Sequence, residues 1–202
     1  MQQPHHFIHS LRPKYLKYST ILMMGILLGA CQTLPVATAP NTHNTTDGAM
    51  RFDITGKIGI TTKTHEGVQA GSAFYTWGQD DKRFGVELTG ALGMGATTIT
   101  FDGQTATLTS ERTGVITADS PESLLFRATG WQAPISQLPF WVLGRTSPDD
   151  DTPTYQDGRL THSTHGDWQA NFEYPKHAIY PSRLSIHHVD GHKVVMTITH
   201  LQ

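Results

Sequence analysis

The chain has 202 residues, 37% of them hydrophobic and 16% charged, enough for one domain with its own core. Its first thirty positions hold three basic residues and no acid, so the remainder carries a formal charge of about −5 against −2 for the whole. No stretch of it clusters Lys and Arg with aromatics, which excludes nucleic acid as a partner. Cys31 is the only cysteine, which excludes an intramolecular disulfide, a Cys-x-x-Cys redox pair and a cysteine-rich zinc site.

Arg12, Lys14 and Lys17 precede the apolar run Ile21 to Leu28, which is too short to span a bilayer as a helix and reads as a secretory signal peptide. The run ends in Leu28-Gly29-Ala30-Cys31. Small residues there give a peptidase close backbone access, and the pattern resembles the bacterial lipobox, at which Cys31 becomes a diacylated N-terminus. Such an anchor holds a protein to a membrane without spanning it. Gln32, where an aspartate favours inner-membrane retention in enteric bacteria, leans towards the outer membrane. Residues 31–48, rich in Pro, Thr, Ala and Asn, cannot bury enough surface to fold and read as a tether. The folded domain is expected over 49–202.

Within it, Phe52, Ile54, Ile58 and Ile60 alternate with polar residues, and period two means a half-buried strand. The pattern returns at Ala73-Tyr75-Trp77, Phe84-Val86-Leu88, Thr97-Ile99-Phe101, Ala106-Leu108, Trp168 to Tyr174, Leu184-Ile186 and Val194-Met196-Ile198. Short connections such as Gly78 to Asp81, Asp102-Gly103 and Asp190-Gly191 predict an antiparallel meander. Ser120-Pro121-Glu122 predicts a helix start and Gly130 its exit. A second helix is predicted from Pro134 to Leu143, stopping at Gly144, with Pro139 a kink point. Two helices in mid-meander must cover one face of the sheet to bury their apolar sides. The expected class is α+β, mainly β.

The loop Thr89 to Ala96 carries no charge and places Leu92 and Met94 among three glycines, where a turn would reach solvent. Either it folds back onto the core or it is a probe for lipid or another protein's apolar surface. His187, His188 and His192 beside Asp190 read as a solvated hairpin, Asp149 to Asp151 as a solvated turn, and no metal or cofactor is assigned. Gly-x-Ser-x-Gly, Walker-type and His-Glu-x-x-His motifs are absent.

In order along the chain, the lipobox, the strand Phe52 to Ile60, Gly71-Ser72-Ala73-Phe74-Tyr75-Thr76-Trp77, Leu88-Thr89-Gly90-Ala91-Leu92-Gly93, Thr117-Ala118-Asp119, Thr129-Gly130-Trp131, Pro134-Ile135, Trp141-Val142-Leu143-Gly144 and Tyr180-Pro181 resemble the LolB family of outer-membrane lipoproteins. The family's loop usually reads Asn-Pro-Leu-Gly, and Gly90-Ala91-Leu92-Gly93 keeps the leucine without the proline. The resemblance implies an antiparallel meander curved into an unclosed half-barrel, with a helical lid over an apolar cavity for acyl chains. It implies a non-enzymatic monomer that takes lipoproteins from a LolA-like periplasmic carrier and inserts them among outer-membrane phospholipids without ATP. Cys31 would be lipidated and Leu92 would promote insertion. Tyr75, Trp77, Phe84, Val86 and Leu88, from strand parity, and Trp141, from its match to the family's lid tryptophan, are the cavity candidates, each equally open to a core role. An envelope scaffold without acyl binding and a lipoprotein hydrolase remain as alternatives.

Overall fold

The computed structural model describes residues 50–65, 67–90 and 96–201; the leader, Cys31, the tether and Leu92 lie outside the described residues. The first half of the domain is a run of strands, β1 (Arg51–Thr64), β2 (Gly67–Asp80), β3 (Arg83–Thr89), β4 (Thr97–Phe101), β5 (Ala106–Ser110) and β6 (Gly114–Ala118). Helix α1 (Pro121–Thr129), a 3₁₀ turn (Ile135–Gln137) and the one-turn α2 (Leu138–Trp141) follow. The second half is β7 (Thr154–Gln156), β8 (Arg159–His165), β9 (Trp168–Glu173), β10 (Arg183–His188), β11 (Lys193–Thr197) and β12 (Thr199–His200). Among the described residues no helix is long and apolar enough to cross a membrane.

All strands join one antiparallel sheet in the order β6-β5-β4-β3-β2-β1-β11-β10-β9-β8-β7, with β12 also on β1. Two meanders are therefore welded where the ends of the domain meet, with Ile58 opposite Met196 and Ile60 opposite Val194. β6 and β7 lie at the two ends of this order, so the sheet is unclosed. The expected meander is borne out, and β6, β7, β8 and β12 are added to it.

The alternation of apolar residues chooses one face. Ile54, Tyr75, Trp77, Ala170, Phe172, Leu184, Ile186, Val194 and Met196 are buried in one cluster with Trp141, Val142 and Leu143 from the helical segment. The helices thus cover one face of the sheet, as their apolar sides require. We call it the inner face and the helical segment the lid.

α1 begins and ends as its sequence predicts. The Ser120 side chain accepts from the Ser123 N–H, Pro121 opens the helix, and Gly130 takes the left-handed conformation at φ 78°, its N–H reaching the Phe126 carbonyl. Leu124 is buried with Ala106 and Ala118 in a second, smaller cluster. The second helix differs from its expected span: Pro134 to Leu143 is split into the 3₁₀ turn and α2. Pro139 has no N–H to donate, so it sits in the first turn of α2 rather than kinking a longer helix. Gly144 still ends the segment at φ 67°, against the Tyr174 hydroxyl.

Candidate functional site

All six residues proposed from the sequence to line a cavity lie on the inner face or in the lid against it. Tyr75, Trp77 and Trp141 are fully enclosed, while Phe84, Val86 and Leu88 pack half-buried beside them. Register explains the grouping. Tyr75 stands opposite Leu88 and Trp77 opposite Val86 across β2 and β3, and strand parity keeps these side chains on one side. An aromatic row crosses four strands: Phe52 to Trp77 at 5.2 Å between ring centroids, Trp77 to Phe84 at 6.2 Å, and Phe84 to Phe101 at 5.8 Å.

The polar edges of these rings are satisfied internally. Trp77 Nε1 donates to Gln79 Oε1 at 3.0 Å, and the Tyr75 hydroxyl donates to the Thr197 carbonyl at 2.8 Å. Burial raises the Tyr75 phenol far above its ordinary range, so it stays neutral. Around these two rings the inner face therefore presents hydrocarbon and aromatic carbon. The six candidates and the lid pack on one another across it. A cavity of about 350 Å³ lies against the opposite side of the sheet, lined among others by Asp53, Thr76, Glu87, Thr98 and Thr100. It forms because Gly78 and Gly85 face each other across β2 and β3 without side chains.

One residue that sequence reasoning passed over holds the lid. Asp149 and Asp151 are exposed, as a solvated turn predicts, but Asp150 turns inward. Its Oδ2 accepts from Trp141 Nε1 at 3.0 Å, from the Ser147 N–H at 3.1 Å and from the Ser163 hydroxyl of β8. Asp150 thus ties α2 and the following loop to the sheet. Only the Ser147 contact is local; the Trp141 and Ser163 donors come from separate segments, so the string does not show that Asp150 bridges them.

The hairpin after β10 also differs from its reading as purely solvated. His188 donates its N–H to the His192 carbonyl across the turn. Both therefore continue the parity of Ile186 and Val194 on the inner face, whereas His187 sits on the other.

His200 stacks on Tyr180 at 4.6 Å. Burial holds its imidazole below the ordinary range, opposed by the backbone of Val142 and Pro181. His187 is lowered as well, by burial and then by Lys193. The unfolded chain binds these protons near pH 6.5 and the folded chain resists them, so stability is fully present above that pH and is lost as pH falls through it. Urea midpoints are expected to drop between pH 7.5 and 5.5, and less so in His200→Gln; equal drops in the two proteins would contradict the assignment.

The unclosed antiparallel sheet, its apolar inner face and its tied lid define a class of protein with a hydrophobic interior under a helical cover. The chain belongs to the LolB family: the family model for the outer membrane lipoprotein LolB matches residues 50–200. It is thereby an outer-membrane lipoprotein, a non-enzymatic factor in lipoprotein localization. It is 33% identical over 152 residues to the outer-membrane lipoprotein LolB of Stutzerimonas stutzeri, covering 73% of this chain and 70% of that one. Against the protein of the same name from Pseudomonas putida it is 34% identical over 69% of this chain and 68% of that one. The match to the Marinomonas protein is 27% identical, over 64% of this chain and 65% of that one, just under two thirds of its length. Among solved structures, a LolA superfamily protein from Nitrosomonas europaea is similar at a TM-score of 0.45 and 11% identity, covering 74% of this chain and 86% of that one.

Proposed function

We propose that the inner face holds the acyl chains of lipoproteins brought by a LolA-like periplasmic carrier, and that the protein passes them to the outer membrane. The observation that carries this reading is the apolar row under a separate lid, in a chain of the LolB family. Acyl chains expose roughly 10 kcal/mol of unfavourable surface for each dozen CH₂ groups, so passage through water is negligible and a protein interior must hold them. The Trp77 and Tyr75 edges are already bonded, so an incoming chain meets carbon, not an unpaired N–H or O–H, at these two rings. Occupancy requires the lid to part from Tyr75, Trp77, Phe84, Val86 and Leu88, with acyl carbon replacing lid carbon. Transfer then runs without ATP from the weaker binder to the stronger, and finally to lipid. Cys31, acylated, keeps the receiver beside its destination, and Leu92 touches the bilayer at the point of release.

The test mixes the leaderless Cys31→Ala domain with a carrier loaded with a labelled lipoprotein and follows the label by size-exclusion chromatography. The label is expected to move to the domain; a folded domain that leaves it on the cognate carrier overturns the reading. Leu92→Glu in the lipidated protein is expected to accept cargo at the normal level while losing most insertion into outer-membrane vesicles. Equal loss of both steps would remove Leu92 from the insertion role.

A further inference from the structure

We propose that His188, Asp190 and His192 form a binding site for a divalent transition-metal ion, with Zn²⁺ the best match, at the rim of the inner face. One ligand atom from each of the three lies within 4.8 Å of the other two. His188 Nδ1 is 3.4 Å from Asp190 Oδ2, which is the edge of a tetrahedron whose ligands stand about 2.0–2.1 Å from the ion. Two imidazoles and a carboxylate are a set that zinc accepts, with water in the fourth position.

The hairpin builds this set from local structure. His188 and His192 face each other across a three-residue turn closed by the Gly191 N–H on the His188 carbonyl, with Gly191 left-handed at φ 87°. The turn carries Asp190 back over the pair. Each ring is also oriented: the Asp190 N–H donates to His188 Nδ1 at 3.1 Å and the Lys63 N–H to His192 Nδ1 at 3.2 Å. Coordination through these nitrogens exchanges each bond for a metal bond, and water takes the released amides because both bonds lie at the exposed rim.

Three aspects of the surroundings bear on the site. The Asp190 side chain is 74% exposed, so an ion enters without unfolding the hairpin, while His188 is 17% exposed and held by its neighbours. Trp168 lies 4.7 Å from His188 and Trp131, just beyond α1, 6.2 Å from His192. An aromatic ring of the sheet and one of the lid segment thus flank the two imidazoles. The Lys63 side chain lies against Gly191 and places an ammonium beside the site, where it opposes a cation.

The full chain, purified in detergent, is titrated with ZnCl₂ in competition with a chromogenic chelator. One ion per chain is expected. The His188→Ala/His192→Ala double variant is expected to bind more weakly by on the order of tenfold or more. Asp190→Asn, a change at an exposed carboxylate that leaves the fold intact, is expected to weaken binding in the same direction. Lys63→Met is expected to tighten it, and His177→Asn, elsewhere on the surface, to leave it unchanged. CoCl₂ gives an independent reading, since Co²⁺ at the site develops visible ligand-field bands and quenches the fluorescence of Trp131 and Trp168. Zinc affinity unchanged in the double variant or in Asp190→Asn overturns the proposal. So does an unchanged affinity in Lys63→Met, or cobalt quenching that survives loss of both histidines.

Discussion

Trp141→Ala is expected to lower the unfolding free energy by about 3–5 kcal/mol, a large part of the 5–15 kcal/mol typical of a domain. Trp141 is fully buried at the centre of the lid's contact with the sheet. Removing its ring takes away packing that the surrounding residues recover only in part. The loss does not end with carbon. Trp141 Nε1 is one of three donors on Asp150 Oδ2, and Asp150 Oδ1 is already buried without a partner. Withdrawing a donor from a partly buried carboxylate leaves it less compensated. Trp141→Phe separates the two effects: it keeps most of the packing and loses the N–H, with an expected cost of roughly 1.5–3 kcal/mol, the worth of a hydrogen bond to a charged group. Urea unfolding of the three proteins checks the order wild type, Phe, Ala. A phenylalanine variant as stable as wild type would show that Asp150 does not hold the lid through this bond.

The same lid shows where sequence reading succeeds and where it stops. Ser120, Pro121 and Gly130 mark the limits of α1 because capping is a matter of adjacent residues, legible in a string. The strands with the inner-face candidates were legible because Tyr75 to Trp77 and Phe84 to Leu88 alternate cleanly. β8 was not: within Arg159–His165 only Leu160 is strongly apolar. It joins the sheet through pairing with β9, where Ser163 faces Ala170 and His162 faces Asn171. β7 has three exposed residues and no pattern at all. The unclosed sheet depends on β1 meeting β11, a contact between distant parts of the chain that periodicity cannot supply. Asp150 was hidden in the same way, since Trp141 and Ser163 converge on it only after the sheet and lid assemble. The face of His188 and His192 was obscured by the intervening turn, which returns the chain to the same side of the sheet.

Gly56→Ala tests the contact between distant parts of the chain directly and is expected to destabilise the domain by roughly 3 kcal/mol, combining overpacking with the loss of a buried hydrogen bond. A Cβ at position 56 would fall 1.9 Å from the Thr197 carbonyl oxygen and 3.1 Å from Cε1 of Tyr75, and backbone cannot yield as a flexible side chain can. The reason for the close approach is visible in the ladder. Thr55 pairs with Thr199 and Ile58 with Met196, but between them the Lys57 N–H turns to the Thr197 side chain at 2.9 Å. The Thr197 carbonyl is released to lie over Gly56 and accept the Tyr75 hydroxyl. Tyr75 reaches it because it stands directly opposite Gly56 on β2. The absent side chain thus lets an inner-face aromatic bond to the strand junction that welds the two meanders. Gly59→Ala on the same strand is the control: its Cβ would meet only the Val195 carbonyl oxygen at 4.0 Å, so a change within about 0.5 kcal/mol is expected. Tyr75→Phe should cost about 1 kcal/mol in the wild-type background and much less in Gly56→Ala, where the bond is already broken. Additive losses in that cycle would show that position 56 acts by sterics alone and that the hydroxyl does not depend on it.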